Sequence, residues 1–207
     1  MRQLFAAVFL VACLSPAQEL PHVLIIGDSI SIGYTPFVEK QLAGKAIVQH
    51  NPSNAGTSGN GVFMMENWLD AKQGKWNVIH FNFGLHDLKR MSDGGHQVEP
   101  EQYERYLRLF IARLRKTEAK LIWATTTPVP EGRVSPPRTP ADVPVYNAIA
   151  VKVMKESGIP VNDLYTPALA HTAEWQLPVN VHYKPEGYEA LAEQVAAAIT
   201  LELARDE

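Results

Sequence analysis

The chain has 207 residues, a formal charge of −3 and 46% hydrophobic residues, enough for one domain with its own core. That balance leaves no basic stripe for nucleic acid and no acidic tract that argues for disorder. A single cysteine, Cys13, excludes a disulfide framework.

The first 17 residues read as an export signal. Met1-Arg2 precedes an apolar run from Leu4 to Leu14, and small residues at Ser15 and Ala17 suit cleavage after Ala17. The run is too short to span a bilayer as a stable helix. Leu10-Val11-Ala12-Cys13 also resembles a bacterial lipoprotein signal, in which residues 1–12 would be removed and Cys13 lipidated. The expectation is a secreted or periplasmic domain over residues 18–207. Membrane attachment is expected only if Cys13 carries a lipid.

Beyond the signal, strands and helices alternate. Val23 to Ile26 reads as a strand, Thr35 to Leu42 as a short helix, and Ala46 to Gln49 as a second strand. An Asn-, Gly- and Ser-rich loop from Asn51 to Asn60 leads into a helix over Val62 to Lys72. Trp76 to Phe83 is apolar on both faces, as a central parallel strand should be. Glu101 to Thr117 is the clearest helix. Tyr103, Tyr106, Leu107, Phe110, Ile111 and Leu114 make one apolar stripe, with arginines on the other face. Leu121 to Thr125 is a fourth strand that empties into a proline-rich loop, Pro128 to Pro144. A helix over Val145 to Glu156, a fifth strand over Ile159 to Leu164 and a last helix over Pro185 to Leu203 complete the chain. Five strands separated by helices predict a three-layer α/β/α sandwich on a parallel sheet with right-handed crossovers.

Val23-Leu24-Ile25-Ile26 stops at Gly27-Asp28-Ser29. A serine is thus delivered where a buried strand ends, which in open α/β sheets is the ligand-binding edge. Glycine relaxes the turn, Asp28 can bond nearby backbone, and Ser29 becomes a candidate nucleophile. Three further segments should reach the same edge: Asn54-Ala55-Gly56 after the second strand, Gly84-Leu85-His86-Asp87 after the third, and His182 before the last helix.

These segments resemble the blocks of the SGNH (GDSL-type) hydrolase family, whose fold is flavodoxin-like. Gly27-Asp28-Ser29 matches the first block and Asn54-Ala55-Gly56 the second. Gly84-Leu85-His86-Asp87 stands where the family has Gly-x-Asn-Asp. Val181-His182-Tyr183 with Pro185-Glu186-Gly187-Tyr188 is similar to the last block. The resemblance implies Ser29 as nucleophile, His182 as general base, and an oxyanion hole from the N–H groups of Ser29 and Gly56. The family's third donor is an Asn side chain. Here His86 stands in its place, and a neutral imidazole still offers one N–H, with Asp87 expected to fix its tautomer.

A second departure concerns the orienting acid. The family carries Asp two or three positions before the catalytic histidine, where this chain has Asn180 and Val179. An amide can orient a ring but cannot offset its positive charge. Asp163, ending the fifth strand, is the nearest substitute acid. Plainer readings exist for several of these residues. Ser29 could cap a helix, Gly56 could serve a turn, Asn54 could shape its loop, and His86 could tie the third strand to Asp87.

His80 reads as a core histidine, while His22, His50, His96 and His171 look unrelated to the site. A zinc site from His86, Asp87 and His182 has no short-spaced ligand pattern behind it, and no phosphate-binding glycine motif opens a helix. The expected activity is a cofactor-free serine esterase acting on acetyl or short acyl esters, on a glycan or a small molecule, as a monomer. The alternatives are a non-catalytic carbohydrate-binding protein and an O-acyltransferase of the same fold.

Overall fold

The computed structural model describes residues 19–70 and 75–206. The export signal, Cys13 and the expected cleavage point lie outside the described residues. A five-stranded sheet runs through the centre: β1 (His22–Ile26), β2 (Ile47–His50), β3 (Val78–Phe81), β4 (Lys120–Ala124) and β5 (Val161–Asn162). The order is β2-β1-β3-β4-β5 and every pairing is parallel. Apolar side chains on both faces of β1, β3 and β4 explain why these strands are central and buried.

Seven α-helices accompany the sheet among the described residues: α1 (Ser29–Gln41), α2 (Ser58–Trp68), α3 (Pro100–Leu114), α4 (Asp142–Glu156), α5 (Tyr165–Ala170), α6 (Thr172–Trp175) and α7 (Pro185–Leu203). α1 packs on α7, while α2 packs on α3 and α3 on α4, so two helical layers enclose the sheet. This is the three-layer α/β/α sandwich that the alternation predicted.

The boundaries differ in instructive ways. α1 starts at Ser29 rather than Thr35, because Asp28 caps it by accepting from Ile30 N at 2.9 Å. Thr57 caps α2 through Asn60 N, so that helix opens within the loop read as Asn51 to Asn60 and ends at Trp68. α4 likewise opens at Asp142, with Pro144 tolerated in its first turn. β3 and β5 are shorter than the apolar runs that announced them. The short α5 and α6 carry too little apolar periodicity to be legible.

Topology fixes the site. The chain leaves β1 towards β2 on one side and returns to β3 on the other, so the strand order reverses between the ends of β1 and β3. Ligands bind such sheets in the crevice at that reversal, and Ser29 and the Gly84–His86 segment emerge there.

Candidate active site

Ser29 is the first residue of α1, and its N–H has no acceptor within the helix. Asp28 takes the capping role, which leaves the Ser29 side chain free. Its Oγ lies 2.9 Å from His182 Nε2. The turn is tied into the sheet: Gly27 N donates to Asn51 Oδ1 at 2.9 Å, and Ala55 N donates to Gly27 O at 2.9 Å. Asn51, which sequence reasoning did not single out, therefore holds the turn that carries Ser29 against the Asn54-Ala55-Gly56 loop. Its position at the end of β2 was the available signal.

His182 arrives on a short return between α6 and α7. Gln176 and Tyr183 pair across it, Leu177 N donates to His182 O at 2.9 Å, and Gln176 Nε2 donates to Pro128 O at 2.8 Å. The tip is a turn closed by Asn180 N to Leu177 O at 3.2 Å, with Pro178 and Val179 in the middle. Val179 has φ 50°, where a β-branched side chain is strained and glycine would be usual. Beyond it, Asn180 Oδ1 accepts from His182 Nδ1 at 2.7 Å and from His182 N at 3.0 Å. An amide oxygen is an acceptor only, so Nδ1 carries the hydrogen and Nε2 presents its lone pair to Ser29.

Asp163 is a correction. Its Oδ1 accepts from Thr125 Oγ1 at 3.2 Å and Thr166 N at 3.1 Å. It fastens β5 and the start of α5 to the end of β4 and does not touch His182. The acid expected as a substitute is thus a turn fastener, while the amide at Asn180 occupies the ring.

Gly56 lies in the left-handed region at φ 67°. Its N–H donates to Asn54 Oδ1 at 2.9 Å, so Asn54 does shape the loop, and a substrate oxyanion would compete with that amide for the donor. Asn60 Nδ2 braces the loop from α2 by donating to Ala55 O at 2.7 Å.

At the end of β3, Gly84 has φ 150°, and a Cβ there would lie 2.2 Å from Thr126 Oγ1. Only glycine lets this turn close. His86 is half-buried, and Lys89 Nζ sits 3.0 Å from its Nδ1. Burial, then the positive charges of Lys89, Arg138 and His182, push the His86 imidazole down to about 4. Asp87 does not fix the His86 tautomer as expected. It turns to α2, accepting from Ser58 N at 2.9 Å and Ser58 Oγ at 2.6 Å. Burial, partly opposed by those bonds, raises its carboxyl to about 7.

Asp28 is also buried, and its carboxyl is raised above the usual range, although its bond from Ile30 and the charges of Arg138, His182 and Lys89 oppose this. Arg138, from the proline-rich loop, donates through Nε to Leu85 O at 2.7 Å and through Nη1 to Pro136 O at 3.2 Å. It buttresses the turn that carries His86. Neither Lys89 nor Arg138 was legible as part of the site, because only the fold brings them there. His80 is fully buried, with Nε2 3.1 Å from Asn162 Oδ1. Among the described residues, no group of three or more His, Cys, Asp or Glu side chains is placed to hold a metal ion.

The sequence model of the GDSL-like lipase/acylhydrolase family matches residues 25–190. Among solved structures, the chain is similar to an acetyl xylan esterase, AlAXEase, at 18% identity over 86% of this chain and 99% of that one, TM-score 0.71. It is similar to the lipase/acylhydrolase from Enterococcus faecalis at 21% identity over 87% and 95% of the two chains, TM-score 0.72. It also resembles the psychrotrophic esterase EstA from Pseudoalteromonas sp. at 11% identity over 88% and 98%, TM-score 0.69. A search of curated proteins finds no match.

Proposed function

Starting from the membership of this chain in the GDSL-like lipase/acylhydrolase family, a family of carboxylic ester hydrolases, we propose that it is an exported serine esterase that removes acetyl or short acyl groups from carbohydrate. The Ser29–His182–Asn180 chain, with links of 2.9 and 2.7 Å, is the observation that carries this reading. The carbohydrate part draws on the acetyl xylan esterase among the similar structures. The export part draws on Leu4 to Leu14 and Ser15-Pro16-Ala17.

In this mechanism Ser29 Oγ attacks the ester carbonyl while its proton passes to His182 Nε2. The carbonyl oxygen becomes an oxyanion facing the Ser29 and Gly56 N–H groups and the His86 ring. Each fixed donor of this kind contributes about 3 kcal/mol in acyl transfer. Collapse expels the alcohol, which takes the proton from His182. Water then attacks the acyl-serine, again giving its proton to His182, and the acid departs as Ser29 regains its hydrogen. Asn180 holds the ring but gives Nδ1 of the transient imidazolium a neutral partner, unlike a Ser-His-Asp triad.

The same neutral amide favours a second reading, a carbohydrate-binding protein that has lost turnover. Labelling with a fluorophosphonate separates the two. We expect Ser29 to be labelled, and Ser29→Ala to abolish both labelling and the release of acetate from acetylated glycans and p-nitrophenyl esters, with melting temperature unchanged. Full hydrolysis by Ser29→Ala would overturn the assignment of Ser29 as the esterase nucleophile.

A further inference from the structure

We propose that Lys89 is a positioning residue that locks His86 in the tautomer with its hydrogen on Nε2, so that the imidazole serves as a fixed oxyanion donor. The proposal rests on the esterase reading of the site and adds to it the residue that makes a histidine work as an oxyanion donor.

A lysine ammonium has three donors and no acceptor. With Nζ 3.0 Å from His86 Nδ1, that ring nitrogen must offer its lone pair. A neutral imidazole has one N–H, and it is then on Nε2, across the ring from Lys89. Burial and neighbouring positive charge keep the ring neutral down to about pH 4, so the tautomer choice governs the whole working range. An imidazole without this lock would divide its population between two tautomers, one of which has no donor at Nε2.

Three features show that the pairing is built in. Leu88 N donates to Gly84 O at 2.9 Å, closing the turn that carries His86, and Lys89 N donates to His86 O at 3.4 Å, which sets Lys89 directly after it. Arg138 fixes the same turn through Leu85 O. Among the described residues, Lys89 has no carboxylate within ion-pair distance and His86 Nδ1 is its hydrogen-bond acceptor. Its charge therefore polarises the ring, which makes Nε2–H a better donor. An asparagine at this position would have a permanent N–H₂ and need no such partner, whereas a histidine does.

The test uses the full chain in three forms: wild type, Lys89→Met and Lys89→Arg. Nitrogen-15 NMR of the His86 ring should show a single Nε2–H tautomer in the wild type, a mixture in Lys89→Met, and the single tautomer again in Lys89→Arg, because a guanidinium also only donates. In Lys89→Met, kcat on a p-nitrophenyl ester should fall about ten- to hundredfold with KM little changed, since the donor acts on charge present only in the transition state. Its acid limb should also gain an ionisation from His86, and Lys89→Arg should recover most of the rate. A wild-type ring protonated on Nδ1, or a Lys89→Met protein with wild-type tautomer and rate, would overturn the proposal. The NMR result does not depend on turnover, so it stands or falls apart from the assignment of Ser29.

Discussion

Replacing Asn180 by aspartate should convert the Ser29–His182–Asn180 chain into a triad and raise kcat. The acceptor atom already lies 2.7 Å from His182 Nδ1, so the exchange adds charge with almost no change of shape. Its benefit is the attraction between the new carboxylate and the imidazolium formed as Ser29 attacks. At 2.7 Å that attraction is about 1.5 kcal/mol with water-like screening and about 3 kcal/mol at an effective dielectric of about 40. Asn180 is exposed and His182 half-exposed, so the screened end of this range applies, as for other surface pairs.

The expected gain is about ten- to thirtyfold in kcat, far short of the about 10⁴ lost when a buried triad carboxylate is removed. Steady-state hydrolysis of a slow p-nitrophenyl ester should show the gain in kcat with KM little changed, given rate-limiting chemistry. The acid limb of kcat/KM should move to higher pH, because a carboxylate favours the protonated base. Asp163→Asn is the control. It should leave rate and profile unchanged and cost no more than about 1 kcal/mol of stability, because its Oδ1 can still accept from Thr125 and Thr166 and only the charge on those bonds is lost. Unchanged or lower kcat in Asn180→Asp would refute the placement of that amide against an ionising ring, and loss of activity in Asp163→Asn would move the acid to β5.

Two further outcomes follow from groups away from the reacting atoms. Burial raises the Asp87 carboxyl to about 7 against about 3.9 in an unfolded chain, so between pH 4 and 7 the unfolded chain gives up a proton that the fold keeps. Wild-type stability therefore falls across that window, and Asp87→Asn, which can still accept from Ser58, should gain on the wild type by at least about 3 °C in melting temperature from pH 5 to pH 7.5, the equivalent of about 1 kcal/mol; a constant gap would refute this. Mass spectrometry of the protein from its native envelope should find Gln18 or a lipidated Cys13 at the N-terminus, and an intact Met1 would remove the export reading.

What the sequence disclosed followed physical range. Apolar runs and helical stripes are local, so β1, β3, α3 and α7 were legible, and with them the parallel sheet and the edge where Ser29 sits. Helix starts were misplaced where a side chain caps a turn within a loop, as Asp28 and Thr57 do. At the site, Ser29, Gly56, His86 and His182 could be placed because each follows a strand or precedes a helix. Partners two residues away, Asn180 for His182 and Asn54 for Gly56, could be placed as well, but the more distant ones and the bonds that carboxylates choose could not. Lys89 bonding His86, Arg138 clamping Leu85, and Asp163 turning to Thr125 are set by side-chain directions that no spacing encodes. Asp87 illustrates the limit: its neighbour in sequence is His86, but its hydrogen bonds go to Ser58, 29 residues away.

The two halves of the proposed machinery are anchored to different degrees. The nucleophile turn is bonded into the sheet through Asn51, Ala55 and the ends of β1 and β3, whereas His182 rides on a return held by Gln176, Tyr183 and a strained Val179. Segments of the second kind open at lower free energy than a sheet core. An opening that occurs after Ser29 has been acylated strands the acyl group, because water has lost its base while the ester remains on a rigid support. Warming should thus favour a stalled covalent intermediate before the domain melts, and the rate at which such stalled molecules resume would report the breathing of the His182 return.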